Sequence, residues 1–363
     1  MNQKQLIEVI KAMKHEILDL LINHNLADDD TAQQTLNAIN EMFKRMDLEI
    51  DDVIPKETLV AYFGGVDDAT KALEKAGVSP IGGIAASISS KGIVRSAFNS
   101  QVHLEAIAEI TDNTILDLKA AIRTARRNAN TSIETALESV KSDLQSGIIK
   151  GDPRKVITQR VAESFAKEGM TSFVTVDGKK LSLEHYSEIV TRTSLKQAHT
   201  KGMTSRYEEN GEYLFTLDIN DPTCSQCEAR RGIIFTSDPG DEEFPYLSDD
   251  DVHPHPQCQC SKRVYVRDYK SNVQLERDKE RSKKYNPDVD NRSKSQKEAY
   301  ERQQALNRQA NAEKKQFIEW NATLGAENYK TLGAFRRAKR SNSVRFQELQ
   351  SEFRSLRMTK SIK

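Results

Sequence analysis

The chain lacks any run of about 18–20 apolar residues, so no segment reads as a membrane-spanning helix. Aromatic residues fill only 6% of its 363 positions and hydrophobic residues 37%. With the 16 glycines the apolar share is roughly 41%, below the ~45–50% usual for globular chains. That scarcity argues against one large core and for helical parts around a small packed centre. Four cysteines in this length do not make a disulfide scaffold. Phosphate-loop, dinucleotide-fingerprint, nucleophile-elbow and His-Glu-x-x-His patterns are all missing, so those enzyme classes find no support. The opening stretch MNQKQLIEVIKAMKHEILDL carries charge through its apolar positions, unlike a signal peptide.

Net charge is missing too, with 54 basic and 54 acidic residues, but the balance hides segregation. From Arg267 to Lys363 there are 24 basic against 13 acidic residues, which leaves 30 against 41 in the remainder. The tail is therefore basic and the body acidic.

Helical periodicity dominates what is present. Leu6, Ile10, Met13, Ile17 and Leu20 make one apolar stripe in a helical stretch expected over 1–60, with Asp28 to Thr31 supplying a stop and a new cap. Ile115, Leu118, Ile122, Ile133, Leu137 and Val140 mark a long helix over 103–146, whose other face carries Lys119, Arg123, Arg126 and Arg127. The Gly- and Ser-rich stretch 77–92 reads as a connector. A helix is expected through Val161 and Phe165, then a strand over 173–176 and a turn at Asp177-Gly178. Ser182 can cap a helix from Leu183 to Glu209, closed by Asn210-Gly211. Short strands are expected over 213–217, 232–236 and 263–266. Beyond 267 Leu306, Ala310 and Phe317 form a thin apolar stripe, and Phe346, Leu349, Phe353 and Leu356 a better one. Such a tail is expected to pack on another protein.

Chemistry concentrates in one place. All four cysteines fall between 224 and 260, as Cys224-x2-Cys227 and Cys258-x-Cys260, with His253-Pro254-His255-Pro256 just ahead of the second pair. Three causes compete: a metal site, disulfide bonding, and reduced or reactive thiols. Cys-x2-Cys places two thiolates at one knuckle, and thiolate with imidazole selects zinc or a related soft metal. Cys258 and Cys260 would lie roughly 7 Å apart in an extended strand, so both can bind one ion only if the backbone turns. A thioredoxin-like reading fails for want of a βαβ pattern, and a zinc deaminase for want of its His-x-Glu and Pro-Cys-x2-Cys. A zinc-knuckle nuclease using Asp251 and His253 is the enzyme alternative, and a DNA-binding module is a third. The seven acids from Asp238 to Asp251 lack the alternation of a calcium loop and read as a solvated acidic loop.

The order of short motifs from Val176 to Val266 resembles a known family. Asp177-Gly-Lys-Lys-Leu-Ser-Leu-Glu-His-Tyr186, then Thr191-Arg192-Thr193, then Glu209-Asn-Gly211 before an apolar strand, come first. Asp221-x2-Cys224-x2-Cys227 with Arg231-Gly232-Ile-Ile-Phe235, and His255-Pro256-Gln-Cys258-Gln-Cys260, complete the run. These are similar to the Mu F-like head morphogenesis proteins of bacteriophages, and especially to the minor capsid protein 2 group. The chain departs from the pattern at Gln259, in the doubled His-Pro and in the acidic linker. The resemblance implies a minor virion component made in the bacterial cytoplasm, bound to the portal protein and inner capsid at the portal vertex, and involved in head assembly, DNA packaging or ejection.

The expected fold is α+β and predominantly helical: an amino-terminal helical arm (1–150), an α+β core with a Cys/His knuckle (151–266) and a basic helical tail (267–363). Cys224, Cys227, His255, Cys258 and Cys260 are the expected ligands of a structural zinc ion. No catalytic residue is assigned. The tail is expected to meet packaged double-stranded DNA through phosphates, without reading sequence.

Overall fold

The computed structural model describes residues 2–80, 87–88, 94–95, 101–146, 153–174, 178–256, 258–324 and 329–361. Most of the predicted 77–92 connector lies outside these, as do 151–152 and 175–177. The described chain is predominantly helical with short strands, as the sequence predicts. In order it comprises α1 (Gln3–Asn23), α2 (Asp29–Lys75), β1 (Ser87–Ile88), β2 (Val94–Arg95), α3 (Gln101–Gln145), α4 (Pro153–Ser164), β3 (Thr171–Val174), β4 (Lys180–Ser182), α5 (Leu183–Glu209) and β5 (Leu214–Asp218). Then follow α6 (Ser225–Ala229), β6 (Phe235–Thr236), β7 (Ser261–Val264), α7 (Asn272–Lys283), α8 (Lys294–Leu324), α9 (Leu332–Ser341) and α10 (Val344–Ser361).

Local chemistry sets these limits. Asp28 caps α2 by accepting from the Thr31 amide at 2.9 Å, and α2 continues to Lys75, past the expected boundary. Ser182 accepts from the His185 amide at 3.3 Å and opens α5, while Gly211, with φ of 76°, allows the left-handed turn beyond it. The strand expected over 232–236 is only two residues long, because the Ile233 amide is still bound to the Arg230 carbonyl (3.2 Å) in the turn that ends α6.

Two compact units are distinguishable. The first comprises Met1–Gln3, Ile50–Leu118 and Glu188–Gln303, the second Lys4–Glu49, Lys119–Ser187 and Gln304–Lys363.

In the first unit β5 is the middle strand of an antiparallel sheet of order β6-β5-β7, with Phe215 opposite both Phe235 and Val264. Strand alternation sends Phe215 and Leu217 to one face, with Ile233, Phe235, Leu247 and Val252, and Leu214 to the other, with Ile234, Phe244 and Tyr265. The start of the basic tail belongs here: Tyr285 sets its ring edge-on to Phe235 at 5.1 Å, and the Ser282 hydroxyl accepts from the Ile234 amide.

Helices α2 and α5 approach each other without intervening side chains. A Cβ built on Gly65 would stand 1.9 Å from the His199 carbonyl oxygen, and one on Gly202 2.1 Å from the Tyr62 carbonyl oxygen. Around this contact lies a buried polar network. The Tyr62 hydroxyl meets His103 Nδ1 at 2.6 Å and donates to Ser205 at 3.0 Å. His103 Nε2 meets Glu209 at 2.8 Å, and buried Arg206 donates to Glu209 and to Thr70. Burial alone would raise the Glu209 pKa; the bonds from His103 and Arg206 outweigh it and hold that carboxyl below its ordinary value.

In the second unit, Lys14 on α1 donates to the Ala166 carbonyl at 3.0 Å, and Asn130 on α3 bonds Asn40 on α2 at 3.0 Å. Burial depresses the Lys14 amine to about 8. The later tail has an aromatic core of its own. Trp320, the single tryptophan, stacks on Phe346 (centroids 5.1 Å apart) and meets Phe335 edge-on at 5.2 Å, with Phe317 and Leu349 buried beside them. The sequence reading lists Phe317, Phe346 and Leu349 but misses Trp320 and Phe335, which join the two stripes into one core across three helices.

Gly65→Ala should destabilise the protein by ~1–3 kcal/mol or more, because the clash with the His199 carbonyl exceeds the ~1 kcal/mol that helix propensity favours alanine over glycine. Gly64→Ala, whose Cβ would meet only the His199 ring at 3.8 Å, should instead stabilise by ~0.5–1 kcal/mol. Urea unfolding of the two variants checks both signs.

Candidate functional site: a buried thiol cluster

β5 ends at Asp218, and the chain turns through Thr223 into the single turn of α6, for which Cys224 is the N-cap. Its sulfur accepts from the Cys227 amide at 3.3 Å, which fixes both cysteines at one knuckle. On the other side the Cys258 amide donates to the His255 carbonyl at 3.0 Å, closing a turn, and the Cys260 amide donates to the Cys258 sulfur at 3.4 Å. β7 begins only at Ser261, so Cys258 and Cys260 are not in extended strand. This is the backbone turn that Cys-x-Cys needs in order to address a single point.

All four cysteines are unbridged. Cys224, Cys227 and His255 offer donor atoms within 4.8 Å of one another, and so do Cys227, Cys258 and Cys260, making two triads that share Cys227. The Cys227 and Cys258 sulfurs are 3.6 Å apart, and Cys227 Sγ lies 3.7 Å from His255 Nε2. With zinc–sulfur bonds of about 2.3 Å, the edge of a tetrahedral site is roughly 3.8 Å, so the spacing fits two thiolates on one ion. Cys227, Cys258 and Cys260 are buried and Cys224 half-buried. The thiols share their protons unequally. Hydrogen bonds from Cys227 and Cys260 hold Cys258 far below its ordinary pKa, while Cys227, donating to Cys258, is pushed up; Cys260 is raised to about 12. A cluster of sulfur donors with one thiolate already favoured could hold a metal ion.

Cations stand around it. Lys196 on α5 donates to the Cys258 carbonyl at 2.8 Å; burial lowers its pKa, opposed by the three buried cysteines. Arg292 donates to the Thr223 carbonyl at 3.2 Å. Buried Arg230 bonds the carbonyls of Asp251 and Val252 and the Tyr285 hydroxyl, tying α6 to the acidic loop. Sequence reasoning misses these three, since a lone basic residue has no local signal.

His255 Nε2 faces the Cys227 sulfur. His253 also reaches the cluster, its ring helping to hold the Cys258 thiol below its ordinary pKa, while its Nε2 meets the Thr200 hydroxyl at 2.9 Å. Arg192, from the Thr-Arg-Thr motif, is exposed and pairs with Glu188.

The acidic loop is not wholly solvated. Asp238 and Asp241 cap their own turns, and Asp249 turns inward to accept from Lys262 and the Thr204 hydroxyl, each at 2.6 Å. Lys262 is 1% exposed, bonds Thr204 and lies over the Phe215 ring at 4.0 Å. Burial would raise the Asp249 pKa, but Lys262 beside it brings the net shift below the ordinary value. That contribution to stability is complete at neutral pH and is lost as pH falls through the folded-state pKa, below 3.8. Asp249→Asn should cost ~3–5 kcal/mol by stranding a buried charge, and adding Lys262→Met should recover part of it; chemical denaturation at pH 7 reads both. A cleft of about 760 Å³ beside this pair is lined by Glu109, Asp117, Glu208 and Asp250, among others. Among the described residues no three carboxylates come together closely enough to hold an ion.

No helix among the described residues is long and apolar enough to cross a membrane. No curated protein and no solved structure matches the chain. The family model described as phage minor capsid protein 2 matches residues 2–355, which extends the likeness read from 176–266 over nearly the whole sequence. The chain belongs to that family and is a structural protein of the phage head, located in the virion.

Proposed function

We propose that the protein is a non-enzymatic minor component bound at the portal and the inner capsid, where it aids head assembly and the packaging or ejection of DNA. Family membership supports the head; the portal vertex follows from the likeness of the 176–266 motifs. The three stretches divide the work: 1–150 is a helical arm, 151–266 a rigid metal-stapled centre, and 267–363 a basic tail that meets packaged double-stranded DNA.

The observation that carries a structural rather than catalytic centre is the donor set. Cys224, Cys227, His255, Cys258 and Cys260 form two triads that share Cys227; an ion that draws its four ligands from both triads has no open place for a water or substrate. The ion, when bound, contributes folding energy by holding the α6 knuckle to the turn before β7. Two amides donate to the cysteine sulfurs and so stabilise thiolate charge.

Protein purified without chelator should contain one zinc ion per chain by mass spectrometry, with its thiols unreactive until chelator is added. Cys227→Ser, which breaks both triads, should lose the metal and lower Tm more than His255→Ala. Metal-free protein with four reactive thiols would overturn the zinc centre. Co-expression with the portal protein should yield a complex on affinity purification; its absence would overturn the portal assignment.

A further inference from the structure

The basic tail is not uniformly exposed charge. Its stretch from Lys330 to Arg345 holds six basic residues and no acid, and the fold sorts them. Arg336 pairs with Glu313 and bonds the Ala310 carbonyl, and Lys339 bonds Gln316, so both clamp α9 onto α8. Arg337 and Arg340, three residues apart and therefore neighbours on one helix face, are exposed, and among the described residues neither has an ion pair. Asn342, in the left-handed conformation with φ of 47°, ends α9 and turns the chain within two residues into α10, where exposed Arg345 lies over the Tyr329 ring.

The aromatic side chains beneath are withdrawn from the surface. Phe335 is 0%, Trp320 1% and Phe346 4% exposed, and they hold α8, α9 and α10 as one packed set. A protein interface would be expected to present apolar anchors, and among the described residues of α9 and α10 the large apolar side chain outside is Val344. A single-stranded nucleic acid would be expected to need rings for its bases to stack on, and the rings face inward. The Arg337 and Arg340 guanidinium groups, with no carboxylate partner among the described residues, suit a regular array of phosphates.

The geometry points to the α9–α10 hairpin, through Arg337 and Arg340, as the duplex-DNA contact of this chain, made to the phosphate backbone irrespective of sequence. This rests on the reading that the tail meets packaged DNA and names the surface that does so.

The test uses the full chain and a fluorescent 30-base-pair duplex, with affinity measured across a salt series. Arg337→Gln/Arg340→Gln should lower the slope of log affinity against log salt by ~2, at about 0.9 per lost phosphate contact, whereas Lys339→Gln should leave it unchanged. Unrelated duplex sequences should bind equally, and the single strand more weakly. Trp320 fluorescence monitors the aromatic core in each variant. If the wild type binds duplex but the double variant keeps the full slope, or Lys339→Gln matches it per charge removed, the hairpin assignment falls while the DNA-binding tail stands. Tighter binding to the single strand also overturns the hairpin assignment. If the wild type shows no salt-dependent binding, both fall.

Discussion

Two helix backbones can touch only where neither carries a side chain, and the centre of the first compact unit depends on one such place. Gly65 on α2 and Gly202 on α5 let each helix seat against a carbonyl of the other. That contact fixes the roll of α5 about its axis. One side of α5 then offers Ser205, Arg206 and Glu209 to the buried network with Tyr62 and His103. Another offers Lys196, Thr200 and Thr204 to the cysteine turn, His253 and Asp249. A small rotation of α5 would strand buried polar groups on both sides at once, and each such group costs ~1–3 kcal/mol when unpaired.

The thiol cluster answers a different shortage. A three-stranded sheet whose edge strand β6 is two residues long buries too little apolar surface to hold an irregular loop of some 25 residues between β6 and β7. A metal ion held as proposed, between that loop's end and α6, would supply rigidity that the loop's own acidic sequence does not. The same economy explains Lys262 and Asp249, which anchor the loop's middle by a buried ion pair over Phe215 where an apolar contact would otherwise stand.

Legibility in the sequence followed the range of each interaction. α5 was readable to the residue because its cap at Ser182 and its stop at Asn210-Gly211 are local. The cysteine cluster was visible as a crowding of rare residues, and its ordered motifs pointed to the family before the full-length match. The convergence of Cys258 with Cys260 was not, because it hangs on two backbone amides, that of Cys258 bound to the His255 carbonyl and that of Cys260 bound to the Cys258 sulfur. Asp249 is one acid among seven in sequence, and only the placement of Lys262 on β7 distinguishes it. Gly65 and Trp320 were silent for the same reason: their partners lie on other helices, beyond any local period.

Each compact unit is assembled from stretches far apart in the chain, with lasting consequences for how the protein is made. His15 on α1 packs its ring near Phe317 on α8, a partner made about 300 residues later. At ~5–20 residues per second, roughly 15–60 s of translation separate the two. During that interval the His15 side of α1 stands without this ring, so that part of the second unit closes only after α8 has been made.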